Sequence, residues 1–431
     1  MKNNLSGSAS ILRLNKRQTI QLIVGLVFFC SPTAFSQTNY AVKLAETIML
    51  TYPDSMVVKK FAQHLQQDNQ IPKGQTAEQA QQSRPAVWNY EMGVVLIGFE
   101  KLAQMKGDKK YGDYTKKIVD HFITNDGEIR TYNLEEYNFD NIPSGRQLLH
   151  LYRQTKEQKY KTAAASLYKQ LAWQPRNKTG GYWHKLKYPM QMWLDGLYMA
   201  EPFAAEYAQL FNDPDKFDDI INQFVWMEKY ARDSKTGLLY HGWDESKLQK
   251  WADPKTGLSP VFWSRAMGWF IMGLVDVLDY IPVGHPRRPE LIAILNRLST
   301  ALVKFQDPVE GVWWQVTDKA GKELNYLESS SSAMFVYALS KGVNKGWLDK
   351  SYLPAIKKGY NGIIKNFVVV DADGAVHYTK AIAGAGLGGT PYRDGSYEYY
   401  VTEPKRDDDL KAIGPFIQAC IEYEILMSKK M

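Results

Sequence analysis

Apolar residues recur along most of the chain with the three-to-four-residue spacing of amphipathic helices, not with the alternation of strands. Two short runs rich in β-forming residues, Val312–Val316 and Tyr397–Val401, predict minor hairpins. The pattern therefore predicts an all-α protein. We predict helices over roughly residues 40–51, 91–106, 111–125, 143–155, 159–172, 192–211, 215–231, 263–280, 287–306, 331–342, 352–365 and 410–428.

The predicted helices are spread evenly along the chain, one per about 33 residues with its connection. No Pro/Ser-rich linker or break in composition divides them. This favours one closed array of helical hairpins over several domains. An α-solenoid is the competing architecture, but the sequence shows no sustained repeat of about 34 to 47 residues.

The first 36 residues have the pattern of a secretory signal peptide. Lys2, Arg13, Lys16 and Arg17 precede an apolar run at 20–29, which is too short to span a bilayer. An Ala-x-Ser cleavage site then predicts a mature chain that begins at Gln37. An uncleaved anchor is the alternative, and Cys30 invites a lipoprotein reading that the bulky residues before it disfavour. We expect an exported protein, periplasmic or secreted, with residues 37–431 as a single domain and no stable membrane insertion.

Composition narrows the class of protein further. Hydrophobic residues make up 45% of the chain, which excludes a disordered chain. Aromatic residues make up 13%, which suggests a broad stacking surface, with a large core as the alternative. Removing the four basic residues of the leader lowers the formal charge from +7 to +3, which gives no indication of a nucleic-acid partner. Cys420 is then the single thiol, so a disulfide framework is excluded.

Asp195 is the most prominent candidate for chemistry. It lies between Trp193 and Gly196 at the predicted start of a helix, with His184 and further aromatic residues shortly before it. A carboxylate among Trp and Tyr side chains is typical of a sugar platform with an acid. Burial against indole rings would raise the carboxyl pKa, whereas the helix terminus would lower it. A plain helix-start role is the alternative.

Asp140 is a second carboxylate, just before another predicted helix, where capping is again the alternative. Two carboxylates at neighbouring helix starts could face one cavity, the arrangement that glycoside cleavage usually needs.

Further aromatic clusters predict walls of the same pocket. Arg265 and Trp269 are four residues apart and share one helix face, which suits a sugar ring that bears a carboxylate. His241 lies in a second cluster, and Asn89 with Tyr90 in a third. For Arg265 and Trp269, the alternative is a surface Arg that lies over a Trp. For Asn89 and Tyr90, the alternative is core packing.

Other signals do not indicate a cofactor. The glycines of residues 384–389 match G-x-G-x-x-G, but Thr390 and Pro391 follow where a helix should open, so we predict a loop. The seven His residues show no metal-binding spacing.

Several motifs occur in a set order: Tyr182-Trp183-His184, Met192-Trp193-Leu194-Asp195-Gly196-Leu197-Tyr198-Met199, Tyr240-His241-Gly242-Trp243, Trp263-Ser264-Arg265-Ala266-Met267-Gly268-Trp269 and Gly388-Gly389-Thr390-Pro391-Tyr392-Arg393-Asp394-Gly395-Ser396-Tyr397. Together they resemble glycoside hydrolase family 105, the unsaturated rhamnogalacturonyl and glucuronyl hydrolases. The resemblance runs from about Trp88 to Glu422, nearly the whole chain after the leader.

The resemblance implies an (α/α)6 barrel of six helical hairpins, in agreement with the twelve predicted helices. It also implies removal of a 4,5-unsaturated uronic acid from the non-reducing end of polysaccharide-lyase products, of rhamnogalacturonan type. In this chemistry an acid protonates C4, water adds at C5, and the resulting hemiketal opens and releases the next sugar. No metal or cofactor is implied.

The resemblance also assigns roles to individual residues. Asp195 matches the general acid/base, and Asp140 matches a second carboxylate that positions substrate or water. Positions that line the sugar subsite are matched by His184, Trp193, His241, Arg265 and Trp269, and less securely by Asn89 and Tyr90.

Alternative functions stay open at this point. The same chemistry could act on ulvan-derived or other unsaturated glucuronyl oligosaccharides, because the residues that contact the next sugar lie in loops. A non-catalytic carbohydrate-binding barrel and a glycosidase that acts on saturated sugars are the alternatives of a different class.

Overall fold

A computed structural model describes residues 37–56 and 86–429. The predicted signal peptide at 1–36 lies outside the described residues. None of the helices in the described ranges combines the length and the apolar character that crossing a bilayer requires.

The described ranges contain thirteen α-helices. They are α1 (Gln37–Thr51), α2 (Tyr90–Lys106), α3 (Lys109–Asp120), α4 (Gly145–Thr155), α5 (Gln158–Trp173), α6 (Leu194–Phe211), α7 (Lys216–Ala231), α8 (Ser264–Val277), α9 (Arg288–Lys304), α10 (Ser329–Asn344), α11 (Leu353–Phe367), α12 (Tyr397–Thr402) and α13 (Leu410–Ser428). All twelve predicted helices are present, with ends shifted by a few residues. The mainly helical fold class is confirmed.

The helix α12 contradicts the sequence prediction, because its residues were expected to form a β-hairpin. Gly395 adopts a positive φ of 70°, and the Ser396 side chain then accepts a hydrogen bond from the backbone N–H of Tyr399. This cap starts a helix despite the β-propensity of Tyr and Val, because local capping and tertiary packing override propensity. The other predicted strand, Val312–Val316, contributes only isolated bridges, to Trp263 and to Leu327.

Strands are short and form antiparallel pairs. They are β1 (Gln191–Trp193) with β2 (Gly242–Asp244), β3 (Val368–Val370) with β4 (Val376–Tyr378), and β5 (Ala381–Ile382) with β6 (Lys405–Arg406). In the first pair Met192 lies opposite Trp243. This register brings the start of α6 beside the residue that precedes β2, His241.

Contacts between helices follow a closed order. In the described part of the chain, α2, α4, α6, α8, α10 and α13 contact one another in this sequence, and α13 contacts α2 again. We call these six helices the inner ring. Each packs against a second helix: α3 on α2, α5 on α4, α7 on α6, α9 on α8, α11 on α10 and α1 on α13.

Burial explains which helices form the inner ring. Every residue of α8 is buried, and so is every residue of α10 except the last. A helix that is apolar on all sides is stable in water only when other elements surround it. By contrast, α3 buries one face, which includes Tyr111, Ile118 and Val119, and exposes Lys109, Lys110 and Lys117.

The N-terminal ends of the inner helices meet on one side of the ring. Arg265 at the start of α8 donates to the Ser330 hydroxyl at the start of α10, at 2.7 Å. Lys411 at the start of α13 lies 3.0 Å from the Glu91 carboxylate at the start of α2. Since Asp195 begins α6, these contacts place the predicted site at the same end.

A buried charge network surrounds Asp276, which is fully buried and lies near the C-terminal end of α8. Its carboxylate lies 2.8 Å from Arg146 Nη1, 2.6 Å from Lys341 Nζ and 2.6 Å from the Tyr337 hydroxyl. Burial alone would raise the pKa of Asp276, but the neighbouring Lys341 and Arg146 outweigh it and hold the carboxyl ionised. The network joins α4, α8 and α10.

We expect Asp276→Ala to destabilise the protein by about 3–5 kcal/mol, because the change leaves two buried cations without their shared partner. Chemical denaturation followed by circular dichroism measures the loss. Asp113→Ala is the control, since Asp113 forms an exposed pair with Lys109 one turn away. Equal stability of the Asp276→Ala variant and the wild type would show that the network contributes nothing.

Candidate active site

The two predicted carboxylates lie at the same end of the inner ring. Asp195 is in the first turn of α6, and Asp140 is in a short 3₁₀ turn, Phe139–Asn141, just before α4. His184 connects them, since its Nε2 lies 3.8 Å from Asp140 Oδ1 and its ring stacks at 4.6 Å on Trp193, two residues before Asp195. The structure therefore brings together two carboxylates that are 55 positions apart in the chain.

Asp195 has a histidine as its close partner. Its Oδ2 atom lies 2.9 Å from His241 Nε2, the distance of an ion pair, and neither atom makes a hydrogen bond of regular geometry in the described ranges. On its other side, His241 Nδ1 lies 2.6 Å from the hydroxyl of Tyr400. Burial would raise the pKa of Asp195, but the adjacent His241 outweighs it, so the carboxyl pKa is lower than usual.

Asp140 has a different set of partners. Lys185 donates a hydrogen bond to its Oδ2 atom, and His184 Nε2 lies 3.8 Å from Oδ1. Burial would raise the pKa of Asp140, but the neighbouring Lys185 outweighs it, so the carboxyl pKa is lower than usual. Burial lowers the pKa of His184 to about 4, so this ring is neutral at physiological pH.

An aromatic wall lines this region. Trp193 stacks on His184 and on Tyr188, each at 4.6 Å between ring centroids, and meets the His241 ring edge-on at 5.3 Å. Arg393 donates to the Tyr188 hydroxyl at 2.8 Å, so the loop that carries Arg393 is attached to the same wall.

That loop contains residues 384–389, which form neither strand nor helix, as predicted. Leu387 joins Tyr188, Trp193 and Trp251 in a small buried cluster, so the loop packs onto the aromatic wall. It does not have the strand–turn–helix context of a dinucleotide-binding motif.

Arg265 and Trp269 share a helix face as predicted, but both are buried, with 1% and 2% of their surface exposed. Arg265 donates to Ser330, contacts the backbone carbonyl of Ile382 and lies 3.5 Å from the Glu328 carboxylate. Only its Nη1 atom has no hydrogen-bond partner in the described part of the chain. The guanidinium is thus largely committed to neighbouring protein groups.

The third predicted cluster, Asn89 with Tyr90, has a structural role as well. Asn89 caps α2, since its side chain accepts from the Met92 N–H at 3.2 Å. Tyr90 meets Trp269 edge-on at 6.3 Å, and Trp269 also packs on Tyr198 at 4.8 Å. The structure therefore gives this cluster a packing role beside the predicted site.

Sequence reasoning missed four residues of this region. Glu328 caps α10 and pairs with Arg265, Lys185 binds Asp140, and Tyr400 binds His241. Glu201 lines a small cavity behind Trp193 and His184. Lys185 directly follows the predicted site residue His184, so its sequence position could have indicated that it belongs to the site. The other three residues contact the site only through tertiary structure.

The family model of Glycosyl Hydrolase Family 88 matches residues 59–427. A solved glycoside hydrolase from family 105 of C. acetobutylicum ATCC 824 is 42% identical, covers 89% of this chain and 99% of its own, and superimposes with a TM-score of 0.81.

Two curated relatives have more specific names. Unsaturated rhamnogalacturonyl hydrolase YesR of Bacillus subtilis (strain 168) is 28% identical over 300 residues, which are 68% of this chain and 79% of that protein. Unsaturated 3S-rhamnoglycuronyl hydrolase of Formosa agariphila is 30% identical over 183 residues, 40% of this chain and 45% of that protein.

A helical ring with the buried Asp195, the half-buried Asp140 and an aromatic wall suits a carbohydrate-active protein. The chain belongs to glycosyl hydrolase family 88, and the resemblance to family 105 is confirmed. The protein is therefore a glycosidase by family.

The buried Glu201 makes stability depend on pH. Its side chain is 1% exposed, and burial raises its pKa to about 8. An unfolded Glu has a pKa of about 4.3. The folded state therefore holds this proton more tightly, and the resulting stability is complete below about pH 4.3 and is lost as pH rises through about 8.

We expect Glu201→Gln, which cannot ionise, to become more stable relative to wild type as pH rises from 5 to 8, by on the order of a few kcal/mol. Denaturant unfolding at several pH values measures the difference. Glu135→Gln serves as the control, because Glu135 is exposed. A difference between Glu201→Gln and wild type that does not change with pH would show that Glu201 ionises normally in the folded protein.

Proposed function

We propose that this protein is an exported glycosidase that removes a 4,5-unsaturated uronic acid from the non-reducing end of rhamnogalacturonan-type lyase products. The observation that carries the proposal is the buried Asp195–His241 pair beside Asp140 and the Trp193 wall. A carboxyl that can donate and recover a proton, next to a stacking surface, is what hydration of an enol ether in a sugar requires. The likeness to the relative YesR supports the same substrate class.

The proposal includes the arrangement of the chain. We infer that residues 1–36 are a signal peptide and that residues 37–431 form one catalytic domain. The closed order of the inner ring, with one outer helix on each member, supports an (α/α)6 barrel of six hairpins. Asp195 and Asp140 would then lie at the end of the barrel where the inner helices begin.

The proposed reaction returns the enzyme to its starting state. The Asp195 carboxyl donates its proton to C4 of the C4=C5 double bond, which leaves an oxocarbenium ion at C5. Water adds at C5 and gives up a proton to the Asp195 carboxylate. The resulting hemiketal opens and releases the neighbouring sugar. Asp140, held by Lys185, is placed to orient the substrate or the water.

The ionisation of Asp195 constrains this scheme. Its pKa is lowered by His241 in the free protein, so the carboxyl is mostly ionised near neutral pH. An acid must be protonated when it acts. We propose that the uronate carboxylate raises the pKa of Asp195 on binding, since a second negative charge in a buried site favours the neutral form.

Ulvan-type oligosaccharides are a second candidate substrate class within the same chemistry. The likeness to the 3S-rhamnoglycuronyl hydrolase favours this alternative, although it covers a smaller part of the chain than the likeness to YesR.

The test is to incubate the protein with lyase-treated pectin and with lyase-treated ulvan, and to follow the ultraviolet absorbance of the alkene. We expect loss of the chromophore together with release of the next sugar, faster on the pectin products. In deuterated, ¹⁸O-labelled water, deuterium should enter C4, because the acid delivers an exchangeable proton there, and the added water oxygen should enter C5. NMR and mass spectrometry locate both labels.

Direct displacement at the anomeric carbon gives a different result. Oxygen-18 would enter C1, and the glycosidic bond would break before the double bond changes. That outcome would overturn the hydration mechanism. Cleavage of saturated oligosaccharides without prior lyase action would contradict the substrate class, and binding without turnover would point to a carbohydrate-binding barrel.

We expect Asp195→Asn to lower kcat by about 10²- to 10⁴-fold, the usual contribution of a general acid/base, with little change in the unfolding midpoint. The amide keeps the size of the carboxyl but cannot donate its proton to carbon. Steady-state kinetics on the unsaturated substrate measure the loss. Asp113→Asn, an exposed change far from this helix start in sequence, is the control. Near-normal turnover of Asp195→Asn would remove Asp195 from the mechanism.

A further inference from the structure

Tyr400 belongs to a chain of close contacts that ends at the proposed acid. Its hydroxyl lies 2.6 Å from His241 Nδ1, and His241 Nε2 lies 2.9 Å from Asp195 Oδ2. The three side chains come from α12, from the residue before β2 and from the first turn of α6. Tyr400 and His241 are 159 positions apart in sequence, so only the tertiary structure joins them.

Tyr400 cannot contact the substrate, because its side chain is fully buried. Its ring stacks on Trp263 at 5.4 Å with an interplanar angle of 26°. Gln315 donates from its side chain to the Tyr400 carbonyl at 3.0 Å and accepts from the Trp263 indole at 3.2 Å. These contacts hold the ring in place and leave the hydroxyl directed at His241.

The number of protons on each group decides which atoms donate hydrogen bonds among Tyr400, His241 and Asp195. An ionised Asp195 can only accept, so in the Nε2–H tautomer of His241 the ring N–H faces Oδ2 at 2.9 Å. In that tautomer Nδ1 presents a lone pair, and the Tyr400 hydroxyl, 2.6 Å away, donates to it. Burial raises the pKa of Tyr400 well above its ordinary value, so the phenol keeps this proton. Within the described residues the hydroxyl has no other hydrogen-bond partner.

We infer that Tyr400 is a positioning residue, whose hydroxyl fixes the His241 tautomer and thereby selects which oxygen of Asp195 can carry the catalytic proton. In the Nε2–H tautomer the ring N–H faces Oδ2 at 2.9 Å, so a proton on the carboxyl resides on Oδ1. In the other tautomer Nε2 would be an acceptor, and the Asp195 proton would point at His241 and away from the substrate. This inference rests on the proposed function.

Other ionisable groups also influence the three side chains Tyr400, His241 and Asp195, and these groups remain in every variant described below. They are His184, Asp140 and Lys185 on the side of Asp195, and Tyr399, Arg393 and Asp394 on the side of Tyr400.

The test is Tyr400→Phe in the full chain, which removes the hydroxyl and keeps the ring that stacks on Trp263. We expect kcat to fall roughly tenfold or more with KM nearly unchanged, because an interaction outside the substrate contacts is lost. The alkaline limb of the pH–rate profile should move to higher pH, since weaker donation from His241 raises the pKa of Asp195. A purely structural role would not move this limb.

Tyr397→Phe is the matched control. It removes the same atom from the same short helix, but the Tyr397 hydroxyl donates to the Glu323 carbonyl at 2.6 Å. We expect wild-type kcat and an unshifted pH profile for this variant. An equal loss in both variants would show that the effect is structural and would overturn the inference.

A measurement that needs no substrate separates this inference from the proposed function. With ¹⁵N-labelled histidine, NMR reports the tautomer of His241, and His241→Gln identifies its signals. We expect the Nε2–H form in the wild type and a mixture in Tyr400→Phe. An Nδ1–H form in the wild type would overturn the inference even if the variant failed to fold. Absence of hydrolysis with the expected tautomers would instead refute the proposed function alone.

Discussion

The shared direction of the inner helices is the constraint on which the rest of this structure depends. Five inner helices are each followed by an outer helix that returns the chain, and α1, which precedes them all, packs on the sixth, α13. The start of α8 therefore meets the start of α10, and the start of α13 meets the start of α2. Helix starts carry unpaired N–H groups and partial positive charge, which stabilise carboxylates. Asp195, Glu328 and Asp409 all lie at such starts.

The two ends use buried charge differently. Near the C-terminal end of α8, the charge of Asp276 is balanced by the cations Arg146 and Lys341, and these ion pairs join neighbouring helices. At the starts of the helices, the close partner of Asp195 is a histidine. A carboxylate paired with fixed cations cannot readily take up a proton, whereas one beside an imidazole can change its protonation state when a charged ligand arrives.

Connections between helices complete the site. The pairing of β1 with β2 sets His241 against the start of α6, and the loop at residues 384–389 packs its Leu387 onto the Trp193 wall. The short helix α12 carries Tyr400, whose hydroxyl contacts His241 Nδ1. A rigid ring of helices thus holds groups that arrive on irregular segments, which is how enzymes commonly place their reactive side chains.

The sequence by itself determined the helices and the position of the main carboxylate. The apolar period predicts every long helix, because the spacing of apolar residues along the sequence reflects whether a helix buries one face or its whole surface. It also placed Asp195 among aromatic residues at a helix start, as the structure shows. Only the tertiary structure decided that residues 397–402 are helical, that Arg265 is buried against Glu328, and that Tyr400 reaches His241. These features depend on contacts between residues far apart in the chain, which local periodicity does not encode.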